Sequence, residues 1–128
     1  MKEVIISILI IVTIIIVGTL TQNHLEITSN ELIQQLDTLE ENIKNKKKLD
    51  SSITKMSQDI YSKWKDIEET WALLITHEEL DLIELSISAL KTNVETNEIN
   101  DCLKELEEAR YLVGHIKDKE SLKIKNIF

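Results

Sequence analysis

The chain has 128 residues, 42% of them hydrophobic and 30% charged, with 15 Lys+Arg against 23 Asp+Glu and a formal net charge of −8. That length fits one domain, and the acidic balance argues against nucleic acid, whose phosphates call for a clustered basic face. With no Pro, two Gly and one Cys, the chain lacks the turn residues of an all-β fold and the cysteines of an internal disulfide or a multi-cysteine metal site.

From Val4 to Leu25 there is no charged side chain; the run is bounded by Glu3 and Glu26. At ~1.5 Å rise per residue it makes a helix of roughly 33 Å, enough to cross a hydrocarbon core of ~30 Å. Ser7 and Thr13 fit inside such a span because their hydroxyls can bond back to helix carbonyls. A cleaved signal peptide is the competing reading, but Gly18-Thr19-Leu20-Thr21-Gln22 is a poor cleavage site. The expectation is an uncleaved anchor, in contact with the lipid bilayer through Val4–Leu20. Lys2 and the α-amino group flank one end, whereas no basic residue follows the run until Lys44. The positive-inside rule then puts residues 1–3 in the cytoplasm, the membrane helix at 4–24, and residues 25–128 outside the cell.

Beyond the membrane the apolar spacing is helical. Leu25, Leu32 and Leu39 alternate with Ser29, Leu36 and Ile43 along one stripe, a helix continuing out of the bilayer without a break. Asn42–Asp50, with four lysines before an Asp-Ser-Ser cluster, reads as the first turn. A second helix carries Ile53, Ile60, Ile67 and Leu74 in one row and Ser57, Trp64 and Trp71 in the next. The two tryptophans are most simply core residues; the alternative is a ligand-stacking or interaction surface. Thr76 to Glu79 reads as a capping box that opens a third helix at 77–96, striped by Leu80, Ile83, Ile87, Leu90 and Val94. Ile99, Leu103, Leu106, Ala109, Val113 and Ile116 mark a fourth, with Gly114 near its end. The tail from Ser121 to Phe128 alternates apolar and polar, a pattern of extended chain lying along a groove. The expected fold is all-α: an N-terminal transmembrane helix continuing into an antiparallel, up-down four-helix bundle.

That topology gathers His24, His77 and His115 at the membrane-proximal end, near Glu26, Glu78, Glu79 and Asp81. A divalent-metal site using His77, Asp81, His115 and His24 is the sharp reading, since imidazoles and carboxylates suit such ions. The plainer reading is that first-turn carboxylates complement a helix dipole and that His77 caps a turn. Lys117, Lys119, Lys123 and Lys125, beside Ile127 and Phe128, either touch lipid headgroups or are solvated. Lys44 and Lys46–Lys48 at the opposite tip either meet anionic wall polymers or form a solvated turn. Cys102 falls on a core-facing stretch as a small hydrophobe. The residues form no phosphate loop, GxSxG motif or recognisable catalytic triad, so no enzyme and no cofactor is expected. The expected role is non-catalytic: binding another envelope protein or self-association, with Trp64, Trp71 and Glu79 as interaction candidates; the alternative is a metal- or small-ligand-binding, sensor-like module using the membrane-proximal histidines and carboxylates.

The anchor, a Trp ahead of a His-x-Glu-x-Asp stretch (Trp71, then His77, Glu79 and Asp81) and the closing Asn126-Ile127-Phe128 carry a resemblance. The sequence resembles a family of short single-pass membrane proteins, classified only as a domain of unknown function and found mainly in Gram-positive spore-forming bacteria. The resemblance implies membership of an uncharacterised membrane-protein group and assigns no catalytic or binding residue.

Overall fold

A computed structural model describes residues 1–127 as four helices: α1 (Lys2–Lys46), α2 (Ser51–Trp71), α3 (His77–Glu95) and α4 (Ile99–Ile127). No strand occurs among the described residues, so the all-α expectation holds, as does the number of helices. α1 is unbroken over 45 residues. Its N-terminal part is the one helix among the described residues long and apolar enough to cross a membrane, and none of that apolar stretch is buried against the rest of the chain. The hydroxyls in and just beyond it donate to the carbonyl four residues back: Ser7 to Glu3 at 2.9 Å, Thr13 to Leu9 at 2.8 Å and Thr19 to Ile15 at 2.8 Å. Their polarity is thereby satisfied within the helix.

Each helix end has a local cause. α1 stops where Lys47 turns left-handed (φ 53°) and its N–H returns to the Ile43 carbonyl at 2.9 Å. Asp50 starts α2, its carboxylate accepting from the Ile53 N–H at 3.1 Å and from the Ser52 hydroxyl at 2.6 Å. Thr76 starts α3 with the expected capping box: Glu79 N–H donates to Thr76 Oγ1 (3.2 Å), and Thr76 N–H donates to Glu79 Oε2 (3.1 Å). α3 ends in a Schellman turn, with Asn97 at φ 61° and Glu98 N–H donating to the Asn93 carbonyl at 2.9 Å. Asn tolerates that left-handed position better than most residues.

From Leu25 onward the apolar stripes close on one another. Leu25, Leu32, Leu36, Leu39 and Ile43 of α1 meet Ile53, Ile60, Trp64 and Trp71 of α2, Ile83, Ile87 and Leu90 of α3, and Cys102, Leu106, Ala109 and Val113 of α4, all essentially inaccessible to water. α1 packs on α2 and α4, and α3 packs on α2 and α4, so the helices form a ring in chain order. Polar side chains record the register of the ring. On α4, Arg110 reaches Asp37 (2.7 Å) and Glu40 (2.9 Å) of α1, and Lys117 reaches Asn30 (2.7 Å). Lys119 of α4 pairs with Glu79 of α3, and Trp71 at the end of α2 donates to Thr28 of α1.

Two expectations are corrected. The tail is not extended: α4 runs on through Ile127, and Phe128 lies outside the described residues. The core row Leu106–Val113 continues at position 120, where Glu120 is 5% exposed, its aliphatic stem inside and its carboxylate on Lys123 at 3.1 Å. A glutamate at a core position hid the helical period, and the two-residue alternation beside it was incidental. For the same reason Gly114 is not near a helix end but well inside α4.

Candidate functional site

The two tryptophans meet edge to face, with ring centroids 5.6 Å apart and planes at 84°. Seven residues apart on α2, they fall on the stripe facing the core, and both are fully buried. The Trp71 indole N–H donates to Thr28 Oγ1 at 2.9 Å, and the Thr28 hydroxyl passes its own hydrogen to the His24 carbonyl at 2.7 Å. The Trp64 indole N–H donates to Glu84 Oε2 at 2.6 Å. Each large ring therefore brings its one polar atom to a partner on another helix, which is the condition for burying an indole. Trp64 and Trp71, expected as interaction candidates, have no accessible surface in the folded chain, and their rings join α2 to α1 and α3.

Glu84 is the busiest carboxylate of this region. Besides Trp64 it takes Lys65 at 2.9 Å and the Ser88 hydroxyl at 3.4 Å, and Lys65 also reaches Glu68 at 3.3 Å. Partial burial works against the Glu84 charge, but the hydrogen bonds from Lys65 and Trp64 outweigh it and hold the carboxyl below its ordinary 4.5. Glu40 is likewise lowered, first by its bond to Lys44 and then, against some burial, by Arg110. Glu79, the third interaction candidate, is occupied by the capping box and by Lys119.

His77 and Asp81 line one shallow basin on the outside of α2 and α3, together with Lys65, Glu68, Glu69, Leu80 and Glu84. His24 is exposed on α1, and His115 is exposed on α4, where it stacks on Tyr111 at 5.9 Å with planes 13° apart. Among the described residues no group of three or more His, Cys, Asp or Glu side chains is placed to hold a metal ion. His24, His77 and His115 therefore lie on three different helices and are not brought together as a ligand set among the described residues. Cys102 is buried, and burial, aided by the nearby charges of Asp101 and Glu98, pushes its thiol up to about 11. That is the state of an inert core thiol, not of a nucleophile. Between α1 and α2, a groove lined by Gln34, Gln35, Thr38, Met56, Asp59 and Ile60 contains the buried, unpartnered Gln35 Oε1.

Sequence reasoning missed Thr28 and Arg110. One signal was available for Arg110, the single arginine among fourteen lysines. A planar guanidinium can bridge two carboxylates where an ammonium offers only a point charge, and Arg110 spans Asp37 and Glu40. For Thr28 no signal existed, because a threonine inside a leucine stripe reads as a neutral interruption.

A family model described as a domain of unknown function, DUF4363, matches residues 19–127. The chain belongs to this family. The match takes in the whole bundle and begins near the end of the apolar run, so it bears out the resemblance to a domain of unknown function. No curated protein and no solved structure matches the chain.

Proposed function

We propose that this member of the DUF4363 family is a non-catalytic, single-pass membrane protein whose up-down antiparallel bundle stands outside the cell and binds another envelope protein or a second copy of itself. Support for the anchor comes from the unburied apolar stretch of α1, which has no cover among the described residues. Support for the up-down arrangement comes from the register of side-chain pairs. Moving along α4 from Arg110 to Lys117 steps back along α1 from Asp37 to Asn30, and Ser86–Glu105 with Glu79–Lys119 run the same way between α3 and α4. The orientation rests on Lys2 against the lysine-free stretch from Glu3 to Ile43.

The observation that carries the interaction reading is on α3. Leu82 and Leu85 are 48% and 67% exposed, although the core-facing stripe of the same helix is complete without them. Exposed leucines three apart on one helix lie on a common outward strip, the kind of anchor a partner surface covers.

The test is photo-crosslinking in intact cells with the reactive side chain at position 85. A discrete product, heterologous or self, that disappears on Leu82→Lys and is absent when the probe stands at Lys55 supports the reading. Equal labelling at 85 and 55 overturns it. Protease added to the same cells should degrade the bundle without lysis if it is outside.

A further inference from the structure

We propose that the end of the bundle nearest the apolar span is itself a membrane-contact surface, with Leu73, Ile27 and Leu122 entering the interfacial layer of the bilayer. The inference rests on the anchored reading above and adds a second site of contact to it. Its basis is the level at which these side chains stand. The uncharged run ends at Leu25. The Trp71–Thr28 hydrogen bond brings the end of α2 to within one helical turn of that point, ~4.5 Å along α1. The connection Ala72–Ile75 then turns with Leu74 N–H on the Trp71 carbonyl at 2.9 Å and Ile75 N–H on the same carbonyl at 3.0 Å. Ile75 is thereby buried, while Leu73 is left 78% exposed at the tip.

α4 reaches the same level from the other side. Its register on α1, set by Arg110 opposite Asp37 and Lys117 opposite Asn30, places Leu122 opposite Leu25 and carries the helix end ~15 Å past Asn30, alongside the apolar run. Leu122 is 59% exposed, and Ile27 of α1, half a turn beyond Leu25, is 54% exposed. Three separate elements thus put a large uncovered apolar side chain at the height where the membrane span ends. Continuity with that span identifies lipid as the occupant.

Three of the four tail lysines are engaged within the chain: Lys117 with Asn30, Lys119 with Glu79 and Lys123 with Glu120, while Glu26, Glu78, Asp81 and Asp118 share this end. Attraction to anionic lipid is accordingly not part of the inference, and a zwitterionic bilayer suffices.

The test uses the full chain in phosphatidylcholine vesicles, with an environment-sensitive fluorophore on cysteines introduced singly by Leu73→Cys, Leu122→Cys, Lys48→Cys or Ile14→Cys. Cys102 stays in place because it is buried, and the unsubstituted chain taken through the same labelling gives the background. Labels at 73 and 122 are expected to emit to the blue of the label at 48 and to be quenched by a nitroxide near the lipid headgroups. The label at 14 is expected to be quenched by a nitroxide deep in the acyl chains. If 73 and 122 emit like 48 and are quenched by aqueous iodide while 14 remains lipid-quenched, the contact is overturned and the anchor stands. A blue-shifted emission at 73 and 122 without lipid quenching overturns it in favour of cover by a second copy. Absence of lipid quenching at 14 removes the anchored reading and this inference with it.

Discussion

Thr28 illustrates how much one small polar side chain can hold. Its hydroxyl accepts the Trp71 indole N–H and donates to the His24 carbonyl, joining the end of α2 to the backbone of α1 where the apolar run gives way to the bundle. Replacing it with the isosteric valine would leave a buried indole donor unpaired, a loss of about 1–3 kcal/mol. Thr28→Val should therefore lower the denaturant midpoint of the bundle clearly, whereas Thr28→Ser, which keeps the oxygen, should recover most of the loss. Circular dichroism of the full chain in detergent, followed through a denaturant titration, separates the two variants. Equal midpoints for Val and Ser would mean that the indole finds water instead. Trp64 makes the parallel arrangement with Glu84, and the two rings touch each other, so substitutions at these four positions should couple instead of adding.

At the scale of the helix, the ends obey local rules and the interiors obey the stripe. Asp50, Thr76 and Asn97 each stand where their side chain or backbone preference is needed, and the capping box at Thr76 was readable before any contact was known. Gly114 is the exception, a glycine inside α4 with an ordinary helical backbone and open space where a Cβ would go. Nothing in the fold uses its freedom, so Gly114→Ala should stabilise the chain by about 1 kcal/mol through the lower entropy of the unfolded state. A thermal melt that moves up confirms the placement inside the helix; a melt that moves down would mean that α4 bends or packs there. The tail of α4 teaches a related point. Leu122-Lys123-Ile124-Lys125 alternates like a strand, yet the helix continues because Glu120 stands in for an apolar residue in the core row.

Across the whole molecule, each of the four helix contacts carries a cross-helix ion pair: Lys63–Glu31, Lys65–Glu84, Lys119–Glu79 and Arg110 with Asp37 and Glu40. These pairs are partly exposed, so each contributes little, on the order of 0–1 kcal/mol, and their larger effect is to fix which helix lies beside which. Glu40 and Glu84 have carboxyls lowered from 4.5 in the folded chain. A lowered folded value means that the unfolded chain binds the proton more readily, so the stabilisation is full above about 4.5 and is lost as the pH falls below it. Melting temperatures measured from pH 7 to pH 3 should stay level and then drop on the acid side of that value. Arg110→Lys, which cannot bridge both carboxylates, should make the acid drop shallower. A drop centred near neutral pH would overturn the assignment to these carboxylates.

The apolar run, the four helices, the capping box and the seven-residue rows were all determined by the sequence alone. They arise from interactions within one helix turn or from the period of a single stripe, and both are written in consecutive residues. The tertiary structure alone decided that Thr28 receives Trp71, that Glu84 receives Trp64 and Lys65, and that Arg110 spans two carboxylates. Those outcomes depend on the rotation and register of one helix against another. A shift of one residue turns a helical side chain by about 100°, which leaves the stripe recognisable and changes every polar partner. Leu73, Leu122 and Ile27 belong with that second group: separately they are three exposed apolar residues, and only the packed helices bring them to one level.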